Sequence, residues 1–238
     1  MRYLALLKVG NSFPVTVARF GDFEDWTARG IGIMRTSVRT VSAHLPGPLP
    51  PFGQLAGVVV MGSHAMVSDR EEWSERTACW VREVVQRGIP FLGICFGHQL
   101  LAHAMGGEVG FHPKGPEVGT RQIQLTPAAA GDPLFSSLPS VFLGHTTHSQ
   151  TVLRLPLGTT VLARNAHEPH HAIRLGDCAW GVQFHPEFNE AVMRDYVDEQ
   201  AESLREHGWD PVALHEAVCP TPESAGLLRH FANLAFRN

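Results

Sequence analysis

Two short apolar runs bracket a segment of helical periodicity, and few arrangements other than a parallel sheet accommodate that order. The first run, Gly57–Met61, reads Gly-Val-Val-Val-Met and is rich in β-branched side chains, which favour strands. The second, Pro90–Cys95, reads Pro-Phe-Leu-Gly-Ile-Cys. Runs this short, and apolar at every position, suit strands buried on both faces. Between them, Arg70–Arg87 carries Trp73, Thr77, Trp80, Val81, Val84 and Val85 at helical spacing. Asp69 is placed to cap that helix, and Gly88 and Pro90 to stop it. The order strand, helix, strand is a right-handed crossover unit. Tyr3–Val9 supplies a further strand, and Phe96–Met105 an apolar helix closed by Gly106-Gly107.

Beyond Glu108 the pattern changes. Arg121–Leu125, Thr160–Arg164, His171–Arg174 and Ala179–Phe184 are short alternating segments split by Gly and Pro, which reads as hairpins or a mixed extension of the sheet. Glu187–His207 returns to helical spacing through Val192, Tyr196, Val197, Ala201 and Leu204. Pro211 fits the first turn of another helix, and Glu223–Phe236 reads as a last one. Pro46–Phe52 holds four prolines and is a connecting loop. With 238 residues, 44% apolar and 18% charged, no repeat and no linker, the chain is expected to fold as one α/β domain. Its core would be a single mixed, mostly parallel central sheet flanked by helices. A reaction needing two large catalytic domains does not fit this length.

Composition also narrows the partners. Net charge is 19 − 23 = −4, with no Lys/Arg run, so no nucleic-acid footprint is present. No apolar stretch reaches the ~18–20 residues of a membrane span, and the start of the chain lacks the layout of a signal peptide. Four cysteines in a chain of this size do not make a disulfide scaffold, so a cytoplasmic location is expected. No CxxC occurs, and the pair His170-His171 reads as a solvated loop, so no metal and no cofactor are expected. The absence of a Gly-x-x-x-x-Gly-Lys-Ser/Thr loop leaves no sign of ATP chemistry.

One cysteine stands apart. In Gly93-Ile-Cys95-Phe-Gly97-His-Gln99 a strand runs into a helix at Cys95, with glycines two residues to each side. A sharp turn of that kind crowds neighbouring Cβ atoms, which glycine removes. The helix N-terminus then offers free N–H groups and positive potential, both favouring thiolate, and the Phe96 N–H is placed for an oxyanion. A free cysteine is otherwise commonly a small buried hydrophobe, and Cys79, within the apolar helix, fits that description. The partner for Cys95 is sought in Phe184-His185-Pro186-Glu187. There an apolar strand ends at His185, and Glu187 lies two positions on, able to fix the imidazole tautomer. Strand ends gather on one edge of a parallel sheet, so Cys95 and His185 can meet. Glu187 can equally serve the start of the next helix.

Together, Gly-x-Cys-x-Gly-x-Gln and a downstream Phe-His-Pro-Glu resemble the class I (triad) glutamine amidotransferases, in particular stand-alone, GMP-synthase-like domains. The resemblance covers nearly the whole chain and implies a flavodoxin-like core. It implies residues 1–200 as the amidotransferase domain and 201–238 as a helical tail packed on it. It also implies that Cys95 attacks the γ-carboxamide of glutamine to form a γ-glutamyl thioester, with His185 as base then acid and Glu187 orienting it. Gln99 matches the position that holds the substrate's amino-acid end. The family's Gly-Gly-Pro oxyanion loop corresponds to Gly62-Ser63-His64, where Gly62 matches and Ser63 and His64 depart. Gly144–Val152 resembles the Ser-His-x-Asp-x-Val substrate loop, with His148 on its histidine and Gln150 replacing its aspartate. Related stand-alone members act on γ-glutamyl peptides. The resemblance therefore leaves open glutamine hydrolysis, with ammonia passed to a separate synthase, γ-glutamyl peptide hydrolysis, or a non-catalytic binding module of the same fold.

Overall fold

The computed structural model describes residues 2–34 and 37–237. In chain order, β1 is Tyr3–Lys8, α1 Pro14–Phe20, α2 Phe23–Ile31, β2 Val38–Ser42, β3 Leu55–Val60, α3 Glu72–Gln86, β4 Phe91–Ile94 and α4 Phe96–Ala104. Then come β5 Glu108–Phe111, β6 Glu117–Leu125, β7 Val141–His148, β8 Gln150–Arg154, β9 Thr159–Arg164, β10 Ala172–Leu175 and β11 Ala179–Val182. Four helices follow: α5 Glu190–Glu199, α6 Ala201–Glu206, α7 Pro211–Glu216 and α8 Pro222–Arg237.

Nine strands form one sheet in the order β2-β1-β3-β4-β11-β10-β9-β6-β7, and β5 and β8 pair as a separate ribbon. The pairings from β2 across to β11 are parallel, and those beyond β11 antiparallel. Only β10 and β6 run against the common direction, so the sheet is mostly parallel. Alternation along β1 explains its apolar sequence. Leu4 and Leu6 join Val59, Leu92 and Ile94 beneath residues of α2 and α8 such as Trp26, Leu228 and Phe231. Ala5 and Leu7 join Val58, Val60 and Phe91 beneath Val81 and Val84 of α3 and Leu100 and Leu101 of α4. A strand covered on both faces has no polar side to display.

The expected crossover unit is present, with one change at its start. Asp69 does not cap α3. It closes a 3₁₀ turn, Val67–Asp69, after which Arg70 takes the left-handed conformation (φ 52°) and Glu71 begins the helix without a side-chain cap. Cys79 is exposed rather than buried, because it lies on the outer side of α3. The segment Gly144–Val152 is not a loop. It is the end of β7 and the start of β8, which meet at Ser149, and β7 pairs with β6 residue for residue from Glu117 to Gln124. The helix expected over Glu187–His207 is two, α5 and α6, broken at Gln200. There the Gln200 side chain donates to Thr147 Oγ1 (3.0 Å) and to the Tyr196 carbonyl (2.9 Å). Glu187 does not cap α5; Asn189 does, accepting from the Val192 N–H. The elements α1, α2 and β2 are not among the expected ones, although the buried residues of α2, Phe23, Trp26, Thr27 and Ile31, recur at helical spacing. Among the described residues no helix is long and apolar enough to cross a membrane.

Candidate active site

The edge formed by the carboxyl ends of β4 and β11 carries the site. These strands pair in parallel, with Gly93 opposite Gly181 and Ile94 opposite Val182, and the Cys95 N–H donates to the Val182 carbonyl at 2.8 Å. Cys95 itself has φ 49° and ψ −100°, a conformation that costs a non-glycine residue about 1–3 kcal/mol. The flanking glycines show why the turn demands them. A Cβ on Gly93 would lie 2.2 Å from the Gly97 carbonyl oxygen, and one on Gly97 would lie 2.2 Å from that of Val60. The thiol, 6% exposed, points to the Thr147 carbonyl at 3.8 Å.

His185 follows the end of β11 and is anchored by its N–H to the His145 carbonyl (2.8 Å). Its Nδ1 lies 2.8 Å from Glu187 Oε1. A ring nitrogen facing a carboxylate carries a hydrogen, and the other, Nε2, is buried with no hydrogen-bond partner among the described residues. Phe188 stacks on the ring at 4.2 Å. Burial alone would disfavour the imidazolium, but the charges of Glu187 and Cys95 outweigh it and raise the His185 pKa to about 10.

Cys95 and His185 open on one cavity of about 300 Å³, which Ser63, Phe96, Gln99, His148 and Gln150 also line. The structure thus brings together most of the residues expected from the motifs. Glu187 stands behind His185, and Gly62 lies beneath it, where a Cβ would meet His185 Cε1 at 2.9 Å. Ser63 needs no left-handed backbone: among the described residues only Arg70 and Cys95 are non-glycines at positive φ. Its hydroxyl donates to the Val9 carbonyl (2.9 Å) and accepts from the Ala65 N–H (3.1 Å), holding the loop in shape from outside. Among the described residues the Ser63 and Phe96 amides donate to no acceptor.

Gln99 gives both amide hydrogens to protein, one to the Gln150 carbonyl (2.8 Å) and one to Gln183 Oε1 (3.0 Å). What it offers the cavity is an acceptor. Gln150 turns its side chain outward to Ser68, donating to Oγ at 2.5 Å. His148 Nδ1 faces the Gln150 carbonyl at 2.9 Å, and its Nε2 lies 3.3 Å from Glu117. The same carboxylate lies 3.1 Å from His171 Nε2 and accepts from Asn165 at 2.7 Å. Burial would raise the Glu117 pKa, but His148 and His171 hold it well below the usual carboxylate range. His171 is therefore fully buried and is not part of a solvated loop; a charge partner on β6 draws it in. No group of described residues is arranged to hold a metal ion.

The cavity also contains residues that no motif flagged: Phe13, Tyr196 and Gln200. Their only signal in the sequence was apolar or amphipathic character. His64 was visible only as a departure from a proline.

A model of the glutamine amidotransferase class-I family matches residues 36–200. A GMP synthase (glutamine-hydrolysing) of Aeropyrum pernix is 38% identical over 159 residues, covering 67% of this chain and 29% of the synthase. A γ-glutamyl-L-1-hydroxyisopropylamide hydrolase of a Pseudomonas species is 32% identical over 175 residues, covering 68% of this chain and 58% of that protein. The γ-glutamyl peptidase 5 of Arabidopsis thaliana is 28% identical over 192 residues, covering 79% and 72%. This chain thus spans under a third of the synthase and little more than half of the hydrolase. Among solved structures, a glutamine amidotransferase of Thermotoga maritima superposes over the full length of both chains with a TM-score of 0.78 at 21% identity. One of Methylobacillus flagellatus gives 0.77 at 22%, covering 99% of this chain and 94% of the other. At that identity the likeness is one of fold.

Proposed function

This chain belongs to the glutamine amidotransferase class-I family, and from that premise we propose that it hydrolyses γ-glutamyl amides by a Cys95–His185–Glu187 triad, with glutamine the reference substrate. The observation that carries the reading is the buried His185–Glu187 pair, which leaves Nε2 unpaired in the cavity that holds a strained Cys95.

The chemistry follows from those positions. With the Sγ proton held on His185 Nε2, the charged imidazole is stabilised by the Glu187 carboxylate. Thiolate attacks the γ-carbonyl carbon, and the unpaired amides of Ser63 and Phe96 receive the oxyanion. His185 returns the proton to the departing nitrogen as the C–N bond breaks, leaving a γ-glutamyl thioester and free amine. Water, deprotonated by His185, then cleaves the thioester to glutamate. The free acceptor of Gln99 suits the substrate ammonium. Where the substrate is glutamine the amine is ammonia, available to a separate synthase. The similarity to a GMP synthase supports that second assignment. Four free thiols suit a reducing cytoplasm.

The test is release of glutamate and ammonia from glutamine by the purified chain, with Cys95→Ala as control, together with labelling of Cys95 by a thiol-directed glutamine analogue. Cys95-dependent turnover and labelling are expected. An intact, folded chain that neither turns over any γ-glutamyl amide nor labels at Cys95 would be a binding module instead.

A further inference from the structure

The triad and the glutamyl contacts leave one wall of the cavity without a task. Three rings form it. Phe13 lies 4.3 Å from His64 and 5.1 Å from Tyr196, and His64 lies 5.9 Å from Tyr196, centroid to centroid. All three line the cavity together with Cys95 and His185.

Their location follows from the neighbours of His185. The Phe23 ring lies 6.5 Å from His64 and 6.4 Å from His185, so it bridges the two. Gly62, two residues before His64, lies against the His185 ring itself. The reaction assigns that side. His185 Nε2 gives its proton to the departing nitrogen, so the amine leaves beside His185, while the glutamyl end is left to Gln99 and the Thr147–Gln150 segment. Ammonia is too small and too polar to use three ring faces.

The wall is also rigid and unsatisfied. The Tyr196 hydroxyl is held by Ser12 Oγ at 2.7 Å, and Gln200, the next lining residue, is fixed to Thr147 and Tyr196. His64, by contrast, is exposed, and its ring nitrogens take part in no hydrogen bond among the described residues. No lysine or arginine lines the cavity. A carboxylate on the leaving group would therefore find no cation except the His185 imidazolium, which Glu187 already pairs at 2.8 Å, and its burial is costly, whereas a neutral ring would stack.

We propose that Phe13, His64 and Tyr196 form the subsite for the substituent on the amide nitrogen, and that the preferred substrates are γ-glutamyl amides of neutral aromatic or arylalkyl amines. The proposal rests on the hydrolase reading above. The step balances as before: the Cys95 Sγ–carbon bond forms, the carbon–nitrogen bond breaks, the His185 proton goes to nitrogen, and a free arylalkyl amine departs. Water then returns the thiol and releases glutamate.

The test compares kcat/KM for glutamine, γ-glutamylmethylamide, γ-glutamylbenzylamide and γ-glutamylphenylalanine, with wild type, His64→Ala, Phe13→Leu and Cys95→Ala. The benzylamide is expected to exceed glutamine and the methylamide by roughly tenfold or more, the scale of discrimination an apolar pocket supplies. It should also exceed γ-glutamylphenylalanine. In His64→Ala and Phe13→Leu the ratio of benzylamide to glutamine should fall towards one. That ratio is internal to each preparation, so a fraction of misfolded variant does not alter it. Glutamine turned over as well as the benzylamide overturns the subsite, as does a preference that survives in both variants. A preference for γ-glutamylphenylalanine overturns the neutral class of amine. Absence of Cys95-dependent turnover of all four compounds removes the hydrolase reading, and this proposal with it.

Discussion

A single methyl group on Gly97 tests whether the elbow at Cys95 is set by close approach of α4 to β3. The Cβ of Gly97→Ala would stand 2.2 Å from the Val60 carbonyl oxygen, 2.8 Å from its carbon and 2.9 Å from its Cβ. Two of these are backbone atoms of β3 and none can swing away. Reaching the 3.0 Å floor for Cβ contacts requires a shift of 3.0 − 2.2 = 0.8 Å. Overpacking of this kind costs about 1–3 kcal/mol, against a gain of up to about 1 kcal/mol from replacing a helical glycine. The net loss of about 0–3 kcal/mol lowers Tm by up to about 12 °C in a chain of this size. Activity falls further, because displacement near 1 Å at a nucleophile costs about a hundredfold. The comparison variant is Gly226→Ala in α8, where a Cβ meets nothing within 4 Å. There only helix propensity acts, and Tm should rise by about 2–4 °C. Thermal unfolding and glutamine hydrolysis on both variants decide the matter. A Gly97→Ala protein as stable and as active as wild type would refute the account of the elbow.

Two further outcomes concern pH. His185 has its pKa raised to about 10, burial being outweighed by Glu187 and Cys95, so the alkaline limb of the kcat/KM profile should lie well above neutrality, with activity lost as pH rises through about 10. In Glu187→Gln that limb should move down, and an unmoved limb would show that another group sets it. His98 and His145 are both fully buried, and burial lowers their pKa values to about 3 and about 4 respectively. The unfolded chain takes up these protons below about pH 6.5 while the folded chain does not, so stability falls as pH drops from 6.5 towards 3, by several kcal/mol in order of magnitude. Urea titrations across that range should show the slope of stability against pH reduced by about one proton in His98→Asn, and an unchanged slope would contradict the linkage.

What the sequence makes legible is what local pattern encodes. The strands β1, β3 and β4 and the helices α3 and α4 are visible because every position of a doubly covered strand is apolar and every buried position of an amphipathic helix recurs at its period. Cys95 stands out for a steric reason, since Gly93 serves a contact with Gly97 within the same turn. The strands β7 and β8 are not visible, because Thr146, Thr147, His148 and Gln150 are polar. Pairing with β6 and β5 and hydrogen bonds to side chains satisfy them inside the fold. The burial of His171 depends on Glu117, and the break at Gln200 depends on Thr147. Neither partner is near in sequence. The aromatic wall is the extreme case: Ser12, which fixes Tyr196, is 184 residues away from it.

The departures from the family pattern make sense as one device. Ser63, His64 and Gln150 act on a single segment, the chain between β3 and α3. At one end Ser63 ties it to β1 through the Val9 carbonyl. At the other, Gln150 ties it to β8 by donating to the Ser68 hydroxyl and accepting from the Ser68 N–H at 3.4 Å. An aspartate at position 150 would lack the donor for the first of these bonds. A second glycine at position 63 would lack the hydroxyl, and a Cβ on Gly10 would press on it at 2.4 Å, so residue 10 is small because residue 63 is not. With both ends fixed, the middle of the segment presents His64 to the cavity against Phe13, where a proline would offer neither ring nitrogens nor an aromatic face. The three departures hold a loop of ordinary backbone geometry in place, and on the subsite proposed above they put a ring where the family pattern has a proline.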